Sequence, residues 1–265
     1  MANTLFIGKV YHRFDELAST NDYARELLAK SKPPEGTVIR AASQSAGRGQ
    51  FGSKWVSEPG ANLTLSVIFY PIWLLVSEQF RLSEAVSLAI RDTVQLAVSV
   101  GPGMVEASPS PDYRLPATVK WPNDIYLGNR KIAGILIQNT LNGDRLQASV
   151  VGIGLNVNQT AFPPEAPKAG SLALATGRQF DPDAVADILF ECLEKRYLQL
   201  KADQGDALRA EYQTCLLGFG EARFFARADG STFTGVIRAV QPDGRLMIQT
   251  DHGAEVFAVK EIQML

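Results

Sequence analysis

The segment Gly47-Arg48-Gly49-Gln50-Phe51-Gly52 matches G-x-G-x-x-G letter for letter. A dinucleotide fingerprint needs a helix to open at that point, so that its N-terminus meets a pyrophosphate. Here the chain continues as Ser53-Lys54-Trp55-Val56, then a Pro59-Gly60 turn and a strand-like run. No βαβ unit is predicted from the loop onward, and no acidic residue stands at the strand end about 20 residues on. A doubly wound nicotinamide enzyme is therefore excluded, and so is a P-loop, because G-x-x-x-x-G-K-[ST] is absent. Two readings fit the segment: an ordinary polar loop, or a basic loop whose backbone N–H groups wrap an anion while Arg48 adds fixed charge.

Outward from this loop, the pattern alternates between helix and hairpin. Upstream, Ser19 and Asp22 have capping-box spacing, with Ala24, Leu27 and Leu28 on one apolar face, so a helix opens at Ser19 or Thr20. A strand follows at about Thr37 to Ala42. Downstream, Asn62 to Tyr70 reads as a strand, and Glu78 to about Val100 as a helix with Val86, Ala89, Ile90, Val94 and Ala97 on its covered face. Gly101-Pro102-Gly103 ends that helix. Residues 101–117 carry two Gly and four Pro and read as a surface excursion. Val119 to Trp121 is a strand, and Pro122-Asn123-Asp124 a bend. Gly128-Asn129 and Asn142-Gly143 are hairpin signals separating Ile125–Leu127, Lys131–Gln138 and Leu146–Asn156. Asp181-Pro182 starts a helix towards Leu200, with more helix around Ala207 to Tyr212. The last 48 residues are short β-type runs broken at Asp229-Gly230, Pro242-Asp243-Gly244 and His252-Gly253, the texture of a small β-barrel or sandwich. The fold class is α+β, a central mixed sheet with helices followed by a small all-β domain, divided at 1–216 and 217–265.

Composition narrows the function. Of 265 residues, 46% are hydrophobic and 20% charged, which excludes a disordered chain. The formal charge of −2 argues against a non-specific nucleic-acid coat, whose affinity rests on neutralised phosphates. Cys192 and Cys215 form neither a zinc-ligand spacing nor a disulfide framework. The N-terminus lacks a signal-peptide core, and the longest apolar stretch, Leu63 to Val76, is interrupted and short of the roughly 18 to 20 residues a membrane span needs. A cytoplasmic, enzyme-sized protein with no membrane span is expected.

A second constellation lies around the Gly128-Asn129 hairpin: Lys120-Trp121-Pro122-Asn123-Asp124, then Arg130-Lys131-Ile132-Ala133-Gly134-Ile135-Leu136. Strict alternation places Lys131 with Ala133, Ile135 and Ile137 on one face, and Ile132, Gly134, Leu136 and Gln138 on the other. A lysine on an otherwise apolar face reaches either solvent, as a snorkelling edge lysine, or a bound anion. Gly134 in mid-strand marks close approach by a ligand or another backbone. Asn123-Asp124 alone fits turn chemistry as well as binding.

Ser19-Thr20-Asn21, Gln44, Gly47-Arg48-Gly49-x-x-Gly52 with Trp55, Lys120-Trp121-Pro122-Asn123-Asp124, Arg130-Lys131-x-x-Gly134-x-Leu136 and Gly152-Ile153-Gly154-Leu155-Asn156 stand in that order along the chain. This series resembles the biotin–protein ligase family, the biotin–[acetyl-CoA carboxylase] ligases. The resemblance covers nearly the whole chain and implies a class II synthetase-like catalytic domain followed by an SH3-like β domain. In that family ATP, with Mg²⁺, activates the carboxylate of biotin to biotinoyl-5′-AMP, and the acyl group then moves to a lysine of a biotin carboxyl carrier domain. By resemblance, Lys131, Arg48 and Lys120 supply the catalytic charge. Ser19, Thr20, Asn21 and Gln44 read the biotin ring, with Arg48, Gly49, Gln50, Lys131, Gly134 and Leu136 completing its pocket. Trp55 and Asn156 take the adenine, and Arg48, Lys131 and Asp124 the nucleotide phosphates, Asp124 helping to hold Mg²⁺-ATP. No resident metal ligand is identified.

Several points depart from that pattern or stay open. Many relatives have a further Arg in the glycine loop, where this chain has Gln50 and Phe51, so a weaker grip on the adenylate is expected. Only 18 residues precede Ser19, too few for the winged helix of bifunctional members, so DNA binding is not expected. Homodimerisation through a sheet edge is common in the family and stays open here. A lipoate or octanoate ligase or transferase is the competing enzyme, and a biotin sensor without catalysis the competing class. The first lacks its Arg-Arg-x-x-Gly-Gly-type loop and reactive cysteine here. Intact Arg48, Lys120 and Lys131 argue against the second.

Overall fold

The computed structural model describes residues 2–99 and 116–265, with Phe51 by its backbone alone. The Gly101-Pro102-Gly103 helix stop and most of the expected 101–117 excursion lie outside the described residues.

The first sheet is built from β1 (Tyr11–Leu17), β2 (Val38–Gln44), β3 (Leu63–Phe69), β4 (Ala117–Lys120), β5 (Asp124–Leu127), β6 (Arg130–Asn142) and β7 (Arg145–Leu155). Their order in space is β1-β2-β3-β7-β6-β5-β4. Only β1 and β2 run parallel, joined across α1 (Thr20–Lys30); the other pairs are antiparallel. A βαβ unit therefore does exist, but upstream of the glycine loop. That loop leads out of β2 into a single 3₁₀ turn at Gln50–Gly52 and opens no helix.

Both faces of the sheet are covered. Ala24 of α1 packs with Ile39, Ile68 and Val150 on one face. On the other lie α2 (Phe80–Ser99), α4 (Pro182–Lys201) and α5 (Gly205–Thr214), over Leu63, Leu65, Val67 and Phe69. All seven residues of β3 are consequently buried, and the strand reads as a nearly unbroken apolar run. The predicted helix start at Ser19 holds, with its hydroxyl accepting from the Asp22 N–H at 3.3 Å. So does the start at Asp181, whose carboxylate accepts from the Asp183 N–H at 2.9 Å. Two elements have no counterpart in the sequence reading, β1 and the short helix α3 (Leu172–Thr176). The strand expected at Val119–Trp121 begins earlier, at Ala117, and stops at Lys120.

A second, antiparallel sheet follows: β8 (Ala222–Arg227), β9 (Thr232–Val240), β10 (Leu246–Thr250), β11 (Gly253–Phe257) and β12 (Ile262–Met264), in the order β11-β10-β9-β8-β12. Phe225, Ile237, Ile248 and Leu246 fill its inner side. Before entering it, the chain runs along β4, with Val119 N–H donating to the Cys215 carbonyl and Leu217 N–H to the Val119 carbonyl, each at 2.8 Å. The Trp121 indole N–H donates to the Gly244 carbonyl at 2.9 Å, so the second sheet touches the bend between β4 and β5. Among the described residues no helix is long and apolar enough to cross a membrane.

Candidate active site

A cleft of about 270 Å³ opens on the α1 face of the first sheet. Its floor follows from strand register. Ser66, Gly152 and Leu136 form one cross-strand row, and Thr64, Gly154, Gly134 and Asp124 the next. The rows lie roughly 7 Å apart, two residues along each strand. The missing side chains make room for two others. A methyl at Gly152 would stand 2.9 Å from Cγ of Asn21, and one at Gly154 2.8 Å from Cδ2 of Trp55.

The first row is the uncharged end. Asn21 is buried, and its amide donates to the Leu136 carbonyl at 3.3 Å and to Gln138 Oε1 at 3.1 Å. Its own Oδ1 lies 2.6 Å from Ser66 Oγ, which is also 2.8 Å from Thr20 Oγ1. The Gln44 side chain accepts from the Thr20 N–H at 2.7 Å. The Ser-Thr-Asn triplet and Gln44 are thus brought together by α1 docking its first turn on the end of β2. Ser66 and Gln138 were missed in the sequence. The only signal for Ser66 was a hydroxyl recurring with Thr64 at period two in an apolar strand.

The second row ends in charge. Lys131 Nζ lies 2.6 Å from Asp124 Oδ1, an ion pair whose approach is off the direction of a hydrogen bond. It also lies 6.0 Å from the Trp55 ring centre. Strict alternation put Lys131 and Gly134 on opposite faces, and the structure corrects this. The register shifts between Ile125 and Tyr126, which pair with Ala133 and Lys131, leaving Ile132 as an extra residue. Ile132 and Ala133 are both fully buried, and Lys131 Nζ sits 3.4 Å from where a Gly134 Cβ would be. A β-bulge re-aims the lysine into the cleft. On its other edge the Lys131 backbone pairs with the chain after β7, donating to the Lys168 carbonyl at 2.7 Å and accepting from the Gly170 N–H at 2.9 Å.

Arg48, Gly49 and Gln50 line the cleft, and Arg48 pairs with Asp22 at 3.1 Å. Lys120 and Asn156 are not in the lining. Lys120 pairs in register with Asp124 on the same face, 5.5 Å from the Tyr126 ring. Burial, then the nearby Lys168, holds its ammonium below the ordinary lysine range. Tyr126 is pushed up to about 12 by burial and by Asp124. Asn156 is buried beyond the floor, donating to the Gly170 carbonyl at 2.9 Å, with its Oδ1 buried and unpartnered. Val259, from the second sheet's side, also reaches the lining and had no sequence signal. Among the described residues no three His, Cys, Asp or Glu side chains converge as a metal site, and both cysteines are free.

Chemically, the cleft offers neutral donors and acceptors at one end and cations at the other, over bare backbone. That arrangement suits a neutral polar head with an anionic tail. The biotin/lipoate A/B protein ligase family model matches residues 14–156. The bifunctional ligase/repressor BirA of Bacillus subtilis (strain 168) is 32% identical over 262 residues, covering 96% of this chain and 73% of that protein. The biotin–[acetyl-CoA-carboxylase] ligase of Paracoccus denitrificans is 28% identical over 251 residues, 93% of this chain and 98% of its own. Among solved structures, the biotin protein ligase from Aquifex aeolicus in complex with biotin and ATP has a TM-score of 0.75 at 24% identity, covering 97% and 99% of the two chains.

Proposed function

The chain belongs to the biotin/lipoate A/B protein ligase family, and from that premise we infer that it is an ATP-dependent biotin ligase acting on a biotin-carrier protein. In the first step a biotin carboxylate oxygen attacks the α-phosphorus of ATP. A carboxyl–phosphate bond forms, the α–β phosphoanhydride breaks, and pyrophosphate leaves. In the second, a lysine amine of the carrier attacks the acyl carbon, the carboxyl–phosphate bond breaks, AMP leaves, and the nitrogen gives up a proton. The adenylate is a mixed anhydride, so no nucleophilic side chain is required.

What the protein must supply is positive charge where two anions meet. The single observation that carries this reading is the bulge that turns Lys131 into the cleft beside Gly134. We assign Lys131 and Arg48 to the carboxylate and α-phosphate, with Lys120 adding charge from the neighbouring strand. Thr20, Asn21, Gln44 and the N-cap Ser19 read the ring head, with Gly49, Gln50, Gly134 and Leu136 around it. Trp55 takes the adenine face, and the unpartnered Asn156 Oδ1 suits an amino donor. Mg²⁺ would enter as the counter-ion of ATP, and Asp124, beside Lys131, is the carboxylate that would help hold it. The carrier is a biotin carboxyl carrier domain, and residues 217–265 form an SH3-like domain beside a catalytic unit of 1–216. The protein works in the cytoplasm.

The test is biotin-dependent ATP–pyrophosphate exchange, with lipoate and octanoate run beside it. Exchange with biotin alone is expected. Exchange with lipoate instead would move the chain to the other branch of the family, and biotin binding without exchange would make it a sensor.

A further inference from the structure

Of the cations that line the cleft, Arg48, Lys54 and Lys131, the first and the last are met by carboxylates on rigid elements. Lys131 has Asp124 on β5, and Arg48 has Asp22 on α1. The second pair joins a weakly held loop to a well-held helix. Three backbone bonds fold the loop on itself, Gly49 N–H to the Ser53 carbonyl at 2.7 Å, Ser53 N–H to the Gln50 carbonyl at 3.1 Å and Trp55 N–H to the Gly47 carbonyl at 3.0 Å. The Arg48 side chain is 58% exposed, and among the described residues Asp22 is the carboxylate that meets it. Asp22 lies in the first turn of α1, where its N–H bonds Ser19 and the helix end favours a negative side chain. Arg25 approaches the other oxygen of the same carboxylate at 3.9 Å.

We propose that Asp22 is a positioning residue: through Arg48 it holds the Gly47–Trp55 loop against α1 and aims the guanidinium at the phosphate. This rests on the ligase reading above and extends it to a residue outside the matched motifs. An exposed pair of this kind adds little to fold stability. Its value lies in fixing a long, freely rotating side chain before the reactants meet, so that ordering is not charged to the adenylation step.

The experiment measures ATP–pyrophosphate exchange at saturating biotin for wild type, Asp22→Asn, Asp22→Glu, Arg48→Ala and the Asp22→Asn/Arg48→Ala double variant. Asp22→Asn should raise KM for ATP about 5- to 10-fold with a smaller change in kcat, Asp22→Glu should restore part of it, and the double variant should be no worse than Arg48→Ala. Wild-type KM in Asp22→Asn, or equal losses with and without Arg48, would overturn the proposal. Deuterium uptake over 47–55 decides it independently of activity: faster uptake in Asp22→Asn supports the tether, and unchanged uptake overturns it. A wild type that shows no exchange would defeat the ligase reading, while the uptake comparison would still judge the tether.

Discussion

Replacing Gly152 by alanine tests whether the glycine floor exists to seat Asn21. Gly152 lies within β7 between Ser66 and Leu136, in strand conformation, so alanine meets no backbone strain there. Its methyl would stand 2.9 Å from Asn21 Cγ and 3.0 Å from Nδ2, closer than atoms in van der Waals contact pack. Asn21 must swing away, and its bonds to Leu136, Gln138 and Ser66 cannot all follow. With Asn21 displaced, the loss of two neutral hydrogen bonds to the bound ring head, at about 1 kcal/mol each, amounts to about 2 kcal/mol, roughly 30-fold in affinity. Overpacking should cost the fold about 1 to 3 kcal/mol, lowering Tm by several degrees at this chain length. Titration calorimetry with biotin, on protein shown by circular dichroism to be folded, measures the first effect. The second comes from thermal melts. Wild-type biotin affinity in Gly152→Ala would refute the reasoning, as would additive losses when Gly152→Ala is combined with Asn21→Ala.

Three further outcomes are expected. Lys131→Ala should lose about 100-fold or more in ATP–pyrophosphate exchange, the scale of removing a charge from a developing phosphoryl centre, whereas Lys30→Ala, an exposed lysine at the far end of α1 outside the cleft, should change it little; equal rates would misplace the catalytic lysine. Because burial and Lys168 hold the Lys120 ammonium below the ordinary lysine range, its charge is lost earlier on the alkaline side than that of an ordinary lysine. Activity should therefore fall with rising pH sooner than an ordinary lysine would dictate, and Lys120→Arg, which stays protonated, should move that limb upward in a pH–rate profile. Gln50→Arg should slow release of the acyl-adenylate, read by filter retention of labelled intermediate; an unchanged off-rate would show that Gln50 is no weak point.

Local chemistry was legible and long-range pairing was not. Ser19 and Asp181 announce their helices because a cap is satisfied within three residues. Gly128-Asn129 announces its hairpin because the turn geometry is local. Strand β1, Tyr-His-Arg-Phe-Asp-Glu-Leu, carries no clean alternation, and it is a strand because β2 lies beside it. The site residues could be gathered from ordered motifs, but not the way they face. Lys131 was assigned to the wrong side because a period of two assumes an unbroken ladder, and the break is imposed by β5 and by the Lys168–Gly170 segment. Ser66 and Gln138 join the Asn21 network only after three strands and a helix have come together.

The extra residue in β6 also carries a consequence for parity. A ladder assigns sides by odd and even count, and Lys131 and Gly134 are an odd number of steps apart yet share a side, because Ile132 is skipped. Removing Ile132 would restore an even count and leave the lysine aimed as it is now. The same deletion would draw the Lys131 main chain one residue along β6 and release the Lys168 and Gly170 bonds. One deletion could thus separate where the ammonium points from what its main chain holds in place.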